Sequence, residues 1–337
     1  MRTEVPVGAA VNAASHVSPR QARGESEPLQ LRLTAIRYAA PDIHLYEFCD
    51  PAGQALPPFT AGAHIDLHLP NGLVRPYSLC NDPQETQRYV TGIKREAGGR
   101  GGSRLIHEQF KVGQLVPVGA PRNHFALHED AAHSVLIAGG IGITPVACMV
   151  QRLRRLGAAF EVHYAVRQRQ EAALLEVLAG PEMHLHVDAE HGGQPMNLAA
   201  LLAGAPPQAH LYCCGPAPML DAFEAATQGR PADHVHLERF AAAPLAPIDG
   251  GFAVQLARSG RRVLVDKGST ILEALRKEGI ALQASCEQGI CGSCETRVLA
   301  GRPDHRDSLL SEQEKQANQV MMVCCSGSLD PVLVLDL

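Results

Sequence analysis

Four cysteines near the C-terminus carry the most specific chemical signal in this 337-residue chain. Cys286, Cys291 and Cys294 have the spacing C-x4-C-x2-C, and Cys324 follows after 29 further residues. This is the spacing with which thiolates hold a plant-type [2Fe–2S] cluster. Cys325 competes with Cys324 for the fourth position, but only Cys324 gives that spacing. A [2Fe–2S] cluster carries one electron at a time, so the pattern predicts electron transfer.

The loop that bears the first three cysteines has the composition that a buried cluster needs. Gly289 and Gly292 allow the backbone to close around the sulfides and to direct N–H groups at them. Zinc is the alternative for a cysteine group, but zinc sites favour paired C-x2-C knuckles, and only one such pair is present. The spacing therefore favours iron and sulfide.

A flavin is the cofactor favoured by the segment Arg75-Pro76-Tyr77-Ser78-Leu79. An arginine can pair with a phosphate, a tyrosine ring can lie along the isoalloxazine, and a serine hydroxyl can bond the flavin edge. Taken alone, the five residues are also compatible with an ordinary strand that has a partly exposed tyrosine.

A second segment, residues 93–103, combines cations with glycines and ends in Gly101-Gly102-Ser103. N–H groups at the start of a helix bind anions well, so this segment is a candidate phosphate cradle. A flexible surface loop is the alternative. Both segments precede an α/β pattern, and together they favour a flavin.

The run Gly139-Gly140-Ile141-Gly142-Ile143-Thr144-Pro145 follows a predicted buried strand and precedes a predicted helix over 144–156. The glycines allow close approach of a pyrophosphate to the helix N-terminus, where Thr144 is expected as the cap. The spacing differs from G-x-G-x-x-G. Cys214-Gly215-Pro216 ends a later predicted strand, at the edge where α/β folds bind ligands.

The pattern of the chain divides it into several units. Residues 1–28 are predicted to be a disordered lead-in. Residues 29–130 contain short β-like segments broken by Gly and Pro, which predict an antiparallel β-barrel. Residues 131–240 alternate strands with helices, including a helix over 170–178, which predicts a parallel sheet. Residues 241–251 resemble a linker, and residues 252–337 form the cluster domain.

Composition excludes several function classes. The net charge of −5 gives no reason to expect a nucleic-acid partner. No apolar run reaches the roughly 18 residues that a membrane-spanning helix needs. The ten cysteines show no disulfide-framework spacing, and no secretory signal is evident, so a reducing cytoplasm is expected.

The ordered set RPYSL, GRGGS, GGIGITP, CCGP and the ferredoxin cysteines resembles the phthalate dioxygenase reductase family, which includes vanillate O-demethylase reductases. The resemblance covers 29–337 and implies a flavin-binding β-barrel, an NAD-binding α/β domain and a C-terminal β-grasp ferredoxin domain. It also implies FMN as the flavin and a monomeric protein.

The resemblance assigns roles to matching residues. The FMN residues are Arg75, Pro76, Tyr77, Ser78, Ile93, Lys94, Gly101, Gly102, Ser103, Thr144 and Phe240. The nicotinamide nucleotide residues are Gly139, Gly140, Gly142, Cys214, Gly215 and Pro216. The cluster ligands are Cys286, Cys291, Cys294 and Cys324. Cys214 and Phe240 would lie near the nicotinamide and the flavin.

The choice of nucleotide stays open at this point. The family resemblance favours NADH, whereas Arg167 and Arg169 follow a strand at the position where NADPH enzymes hold the 2′-phosphate.

The expected activity is transfer of electrons from NADH through FMN and [2Fe–2S] to the Rieske centre of a terminal oxygenase or O-demethylase. A flavin links the two-electron hydride donor to the one-electron cluster, so no side chain need act as nucleophile or base. The alternatives are a reductase for another acceptor, such as a carnitine or alkylamine oxygenase, and a redox-sensing protein.

Overall fold

The computed structural model describes residues 27–241 and 250–337. The predicted lead-in, up to residue 26, and most of the predicted linker lie outside the described residues. Three main sheets follow one another along the chain, and they fall within the ranges 29–130, 131–240 and 252–337. These domain boundaries remain a prediction.

The first sheet is antiparallel and has the strand order β4-β3-β6-β1-β2-β5. Buried and partly exposed side chains alternate along most of β2, except that Leu45 and Tyr46 are both buried. The edge strands approach each other just beyond β4, where the Cys80 N–H donates to the Val90 carbonyl at 2.9 Å, and the sheet closes there into a barrel. Its elements are β1 (Leu29–Ala40), β2 (Ile43–Cys49), β3 (His64–His68), β4 (Val74–Ser78), β5 (Tyr89–Lys94), α1 (Gly102–Gln109) and β6 (Leu115–Val118).

The second sheet is parallel and has the order β11-β10-β7-β8-β9. All six residues of its central strand β7 are buried, because helices cover both faces there. Its elements are β7 (Ser134–Gly139), α2 (Ile143–Leu156), β8 (Phe160–Val166), α3 (Leu175–Leu178), β9 (Met183–Val187), α4 (Leu198–Ala203), β10 (His210–Cys214), α5 (Ala217–Ala226) and β11 (Val235–Glu238).

Two local predictions for this sheet were wrong. The helix expected over 170–178 is broken, because Leu174 has a left-handed backbone with φ of 59°. A 3-10 turn covers Arg169–Glu171, and the α-helix covers only Leu175–Leu178. The N-cap of α2 is Gly142 rather than Thr144, whose hydroxyl lies within the first turn and donates to the Ile141 carbonyl at 3.1 Å.

The third sheet is mixed and has the order β13-β12-β18-β14-β16. Its helix α6 begins at a reciprocal capping box formed by Thr270 and Glu273, as their spacing predicts. Its elements are β12 (Phe252–Leu256), β13 (Arg262–Val265), α6 (Ile271–Lys277), β14 (Glu295–Ala300), β15 (Pro303–Asp304), α7 (Glu312–Ala317), β16 (Val320–Met322), β17 (Gly327–Ser328) and β18 (Val332–Leu335). The expectation of a multidomain fold with barrel, α/β and β-grasp parts is confirmed.

The hydrophobic cores show which sheets are joined. One cluster runs from the barrel into one face of the parallel sheet and includes Phe48, Met149 and Tyr164. The third sheet has a separate core around Val254 and Leu275. Barrel and parallel sheet are therefore packed together, while the third unit has its own core and makes polar contacts with the barrel. Among the described residues, no helix has the length and apolarity needed to cross a membrane.

Candidate electron-transfer site

The cysteine loop has the geometry that a buried iron–sulfur cluster requires. Cys286, Cys291, Cys294 and Cys324 are each no more than 4% exposed. Backbone N–H groups point at two of the sulfurs, from Gln288 to Cys286 Sγ at 3.3 Å and from Cys286 to Cys291 Sγ at 3.4 Å. Such N–H groups stabilise the negative charge that thiolate ligands bring to iron.

The structure distinguishes the two competing cysteines. Cys324 lies close enough to Cys294 that their thiols share a hydrogen bond, which together with burial raises the pKa of Cys294 well above its ordinary value. The Cys325 sulfur instead contacts the Met322 carbonyl at 3.7 Å and the Ser326 hydroxyl at 3.8 Å, and it lies against Gly289 of the loop. Four clustered thiols would repel one another as thiolates, and a bound cationic metal centre removes that repulsion. The donor set of Cys286, Cys291, Cys294 and Cys324 therefore fits the cluster.

The predicted flavin motif occupies an edge strand of the barrel. Arg75, Pro76, Tyr77 and Ser78 are consecutive residues of β4, which pairs only with β3 within the sheet. A proline is tolerated there because an edge strand does not need every N–H group. Ser78 is buried, while the other three are partly exposed, and burial raises the pKa of the Tyr77 hydroxyl so that it stays neutral.

The predicted phosphate segment comes directly against this strand. Helix α1 begins after Gly101, and a Cβ atom on Gly102 would lie 3.0 Å from Cγ of Arg75. Burial and, to a smaller extent, the charge of the Arg100 guanidinium lower the pKa of Arg75. Two guanidinium groups beside a helix N-terminus form a site that fits a phosphate. Ser103 lies in the same turn and accepts the Glu96 N–H at 3.0 Å.

The two predicted nucleotide turns meet at the carboxyl ends of β7 and β10, which are paired strands. A Cβ atom on Gly142 would lie 2.1 Å from the Cys214 carbonyl oxygen, and one on Gly139 would lie 2.6 Å from Pro216. Gly215 approaches the Cα atom of Gly139 in the same contact. Only glycine permits this approach, so the turns form one continuous surface at the sheet edge where α/β folds bind ligands.

The remaining predicted residues are spread more widely. Thr144 packs against the barrel, because a Cβ atom on Gly92 of β5 would lie 2.6 Å from its methyl group. Ile93 is fully buried beside that contact. The Lys94 ammonium instead turns outward and pairs with Glu96 at 3.2 Å. Phe240 follows β11 with 41% of its surface exposed, and Gly140 has open space around it.

Sequence reasoning missed Glu238, the last residue of β11. The residue is partly exposed, and burial of its carboxyl raises its pKa to about 8, with a hydrogen bond from Ser78 acting in the opposite direction. The same carboxyl lies 4.0 Å from the Cys214 thiol, whose pKa burial also raises. Glu238 therefore joins the flavin motif to the nucleotide turn, and it is largely protonated at neutral pH. Its only signal in the sequence is its position two residues before Phe240.

The cluster loop also contacts the barrel at the phosphate segment. Arg75 lies 3.4 Å from the Ser285 carbonyl, and Arg100 donates to the Cys286 carbonyl. The two arginines of the phosphate site therefore also hold the backbone beside the first cluster ligand.

Comparisons with known proteins agree with this geometry. Residues 254–327 match the family of 2Fe-2S iron-sulfur cluster binding domains. The chain is 54% identical over 311 residues to phenoxybenzoate dioxygenase subunit beta of Ectopseudomonas oleovorans, covering 92% of this chain and 98% of that protein. It is 48% identical over 317 residues to tetrachlorobenzoquinone reductase of Sphingobium chlorophenolicum, with the same two shares covered.

The solved structure of phthalate dioxygenase reductase is similar throughout, with a TM-score of 0.69 and 38% identity, covering 92% of this chain and 98% of that one. The chain belongs to the phthalate dioxygenase reductase family. The family resemblance of its motifs is thereby confirmed. A member of this family is an oxidoreductase that transfers electrons and carries a [2Fe–2S] domain, and the partner implied is an oxygenase.

Proposed function

We propose that this chain carries electrons from NADH through FMN to a [2Fe–2S] cluster and on to the Rieske centre of a terminal oxygenase. The observation that supports it most is the convergence of three separate motifs. Arg75 of the flavin strand touches both the helix α1 turn and the cluster loop, and Glu238 joins the flavin strand to the nucleotide turn.

Each cofactor has a set of residues proposed to hold it. The phosphate of FMN would lie between Arg75, Arg100 and the N-terminus of α1, where two positive charges meet free N–H groups. The nucleotide would lie on the surface formed by the Gly142 and Cys214 turns. Cys286, Cys291, Cys294 and Cys324 are the proposed cluster ligands.

The cofactors supply the redox chemistry, since a flavin exchanges electrons singly or in pairs. The protein's part is positioning and electrostatics. Ser78 of the flavin strand is buried and pairs with the partly buried Glu238, whose protonated carboxyl adds no negative charge there at neutral pH. The cluster loop N–H groups stabilise the thiolates. No side chain is required as a nucleophile.

NADH is the proposed donor because Arg169, one of the two arginines that could hold a 2′-phosphate, is already paired. Arg169 makes two hydrogen bonds of 2.7 Å to the Glu190 carboxylate, with both side chains exposed. This carboxylate neutralises the arginine and would repel a 2′-phosphate. A monomeric protein in a reducing cytoplasm completes the proposal, since the cysteine spacing shows no disulfide framework.

An anaerobic absorption experiment tests the proposal. NADH added to the purified protein should bleach flavin and cluster bands together, and NADPH should do so far more slowly. The cofactor released by acid should be FMN rather than FAD by chromatography. Bands that stay unchanged with both nucleotides, or a protein that holds no flavin, would contradict it.

A quinone acceptor is a second candidate, because the relative that is 48% identical is a tetrachlorobenzoquinone reductase. Steady-state reduction of a chlorinated benzoquinone, compared with reduction of a Rieske oxygenase under the same NADH concentration, separates the two functions. A kcat/KM at least about tenfold higher for the quinone would favour this candidate.

A further inference from the structure

One buried carboxylate of the barrel holds both ends of the cysteine loop. Asp66 of β3 is 2% exposed and accepts a hydrogen bond of 2.5 Å from the Ser285 hydroxyl, next to the first cysteine. Its other oxygen pairs with Arg122 at 2.6 Å. Arg122 in turn lies 2.9 Å from the Ser293 hydroxyl, next to the third cysteine. The carboxylate thus contacts one side of the loop directly and the other through an arginine.

The hydrogen atoms of this network can be assigned. Nη2 of Arg122 carries two hydrogens, and its two short contacts are to Asp66 and to the Ser293 oxygen. A guanidinium has no acceptor, so the Ser293 oxygen must accept from it. The single hydroxyl hydrogen of Ser293 is then available for Cys291 Sγ, which lies 3.1 Å away. Arg122 therefore fixes the direction of a hydrogen bond to a cluster ligand.

The surroundings keep this arginine in place. His64 lies 3.4 Å from the same Nη2 atom, and burial together with the Arg122 charge lowers the His64 pKa to about 3, so the ring stays neutral. His124 fills the space beside the loop, since a Cβ atom on Gly292 would lie 2.7 Å from its Nε2 atom. His64 is neutral and His124 packs against the loop. Asp66 is therefore the anion that balances the charge of Arg122.

We propose that Asp66 and Arg122 are positioning residues that set the reduction potential of the cluster from the barrel, through the Ser293 hydroxyl. A hydrogen bond to a ligand sulfur stabilises the reduced cluster, which is the more negative state, and so raises its potential. This inference rests on the proposed function for the presence of the cluster and adds a determinant that lies in a different domain.

The potential is measured by equilibrium redox titration of the complete protein, with the reduced cluster followed by electron paramagnetic resonance. Ser293→Ala should lower the ratio of reduced to oxidised cluster at a fixed potential by about fivefold to tenfold. Arg122→Lys keeps the charge but replaces the fixed fork with one flexible ammonium. Arg122→Lys should also lower the ratio of reduced to oxidised cluster, by a smaller factor than Ser293→Ala.

The double variant decides whether Arg122 acts through Ser293. In the Ser293→Ala background, Arg122→Lys should have no further effect on the ratio, because the hydroxyl that it orients is gone. Arg88→Gln is the matched control, since it removes a barrel arginine with ion pairs of 2.7 Å to Glu47 and 2.6 Å to Glu85, away from the loop. It should leave the potential unchanged.

The outcomes separate this inference from the proposed function. A protein that binds no cluster contradicts the proposed function itself. A bound cluster whose potential is the same in Ser293→Ala and Arg122→Lys as in the natural chain overturns only the role of the network. Additive effects in the double variant also overturn it. If Arg122→Lys fails to fold, Ser285→Ala removes the direct contact to Asp66 without a charge change and should lower the ratio as well.

Discussion

The partly buried carboxyl of Glu238 should make the free energy of unfolding depend on pH. Its pKa in the folded protein is about 8, against an ordinary value of 4.5. Below pH 4.5 the carboxyl is protonated in folded and unfolded chains alike, and it contributes nothing. Between pH 4.5 and 8 the unfolded chain loses the proton while the folded chain keeps it, so stability falls as pH rises. Above pH 8 the loss is constant.

The size of the effect follows from the shift. One pKa unit corresponds to about 1.4 kcal/mol, so burial of Glu238 lowers the free energy of unfolding by about 3 kcal/mol at pH 7 and about 5 kcal/mol above pH 8. Glu238→Gln is neutral at every pH and retains an oxygen that can accept from Ser78. The unsatisfied amide hydrogens cost about 1–3 kcal/mol, but that cost is the same at each pH. The pH dependence is therefore the diagnostic quantity.

Urea unfolding monitored by tyrosine fluorescence measures this difference. The chain has no tryptophan, and all six tyrosines lie between residues 38 and 212, within the barrel and the parallel sheet. The advantage of Glu238→Gln over the natural chain should grow between pH 5 and 8 by about 1.4 kcal/mol per unit and then level off. Asp130→Asn, at an exposed position before β7, is the control. Parallel pH profiles for the natural chain and Glu238→Gln would refute the reasoning.

Three further predictions concern the cofactor sites. Cys324→Ser should abolish the visible absorbance and bound iron of the cluster, whereas Cys325→Ser should keep both. The reverse result would identify Cys325 as the fourth ligand. Gly142→Ala places a Cβ atom 2.1 Å from a main-chain oxygen, so NADH-driven flavin reduction should fall by about a hundredfold or more, while dithionite still reduces the flavin. Retained NADH activity would show that the turn is not the nucleotide site. Glu190→Ala frees Arg169 and should raise kcat/KM for NADPH about fivefold to tenfold. An unchanged value would show that the Arg169–Glu190 pair does not determine the preference for NADH.

Local patterns predicted the elements and the motifs that depend on neighbouring residues. The capping box at Thr270 and Glu273 and the glycine turn ending at Gly142 could be read from spacing, because their contacts span only a few residues. The helix expected over 170–178 failed for the opposite reason. Leu174 is buried in the core in a left-handed conformation that the local sequence does not favour.

The site was predicted in part. The sequence predicted which segments carry flavin, nucleotide and cluster chemistry, and the comparisons confirm the family and a 2Fe-2S domain. It did not indicate that Arg75 and Arg100 contact the cluster loop or that Glu238 lies beside Ser78, since these residues are far apart along the chain.

The amino-acid sequence by itself determined the redox chemistry, because four thiolates at fixed spacing and glycine-rich turns are short-range features. Only the tertiary structure decided how the redox units meet. The network of Asp66, Arg122 and Ser293 joins residues that are 56 and 171 positions apart, and the raised pKa of Glu238 comes from its burial in the folded chain. Burial and long-range hydrogen bonds depend on how sheets pack together, and no local pattern records that arrangement.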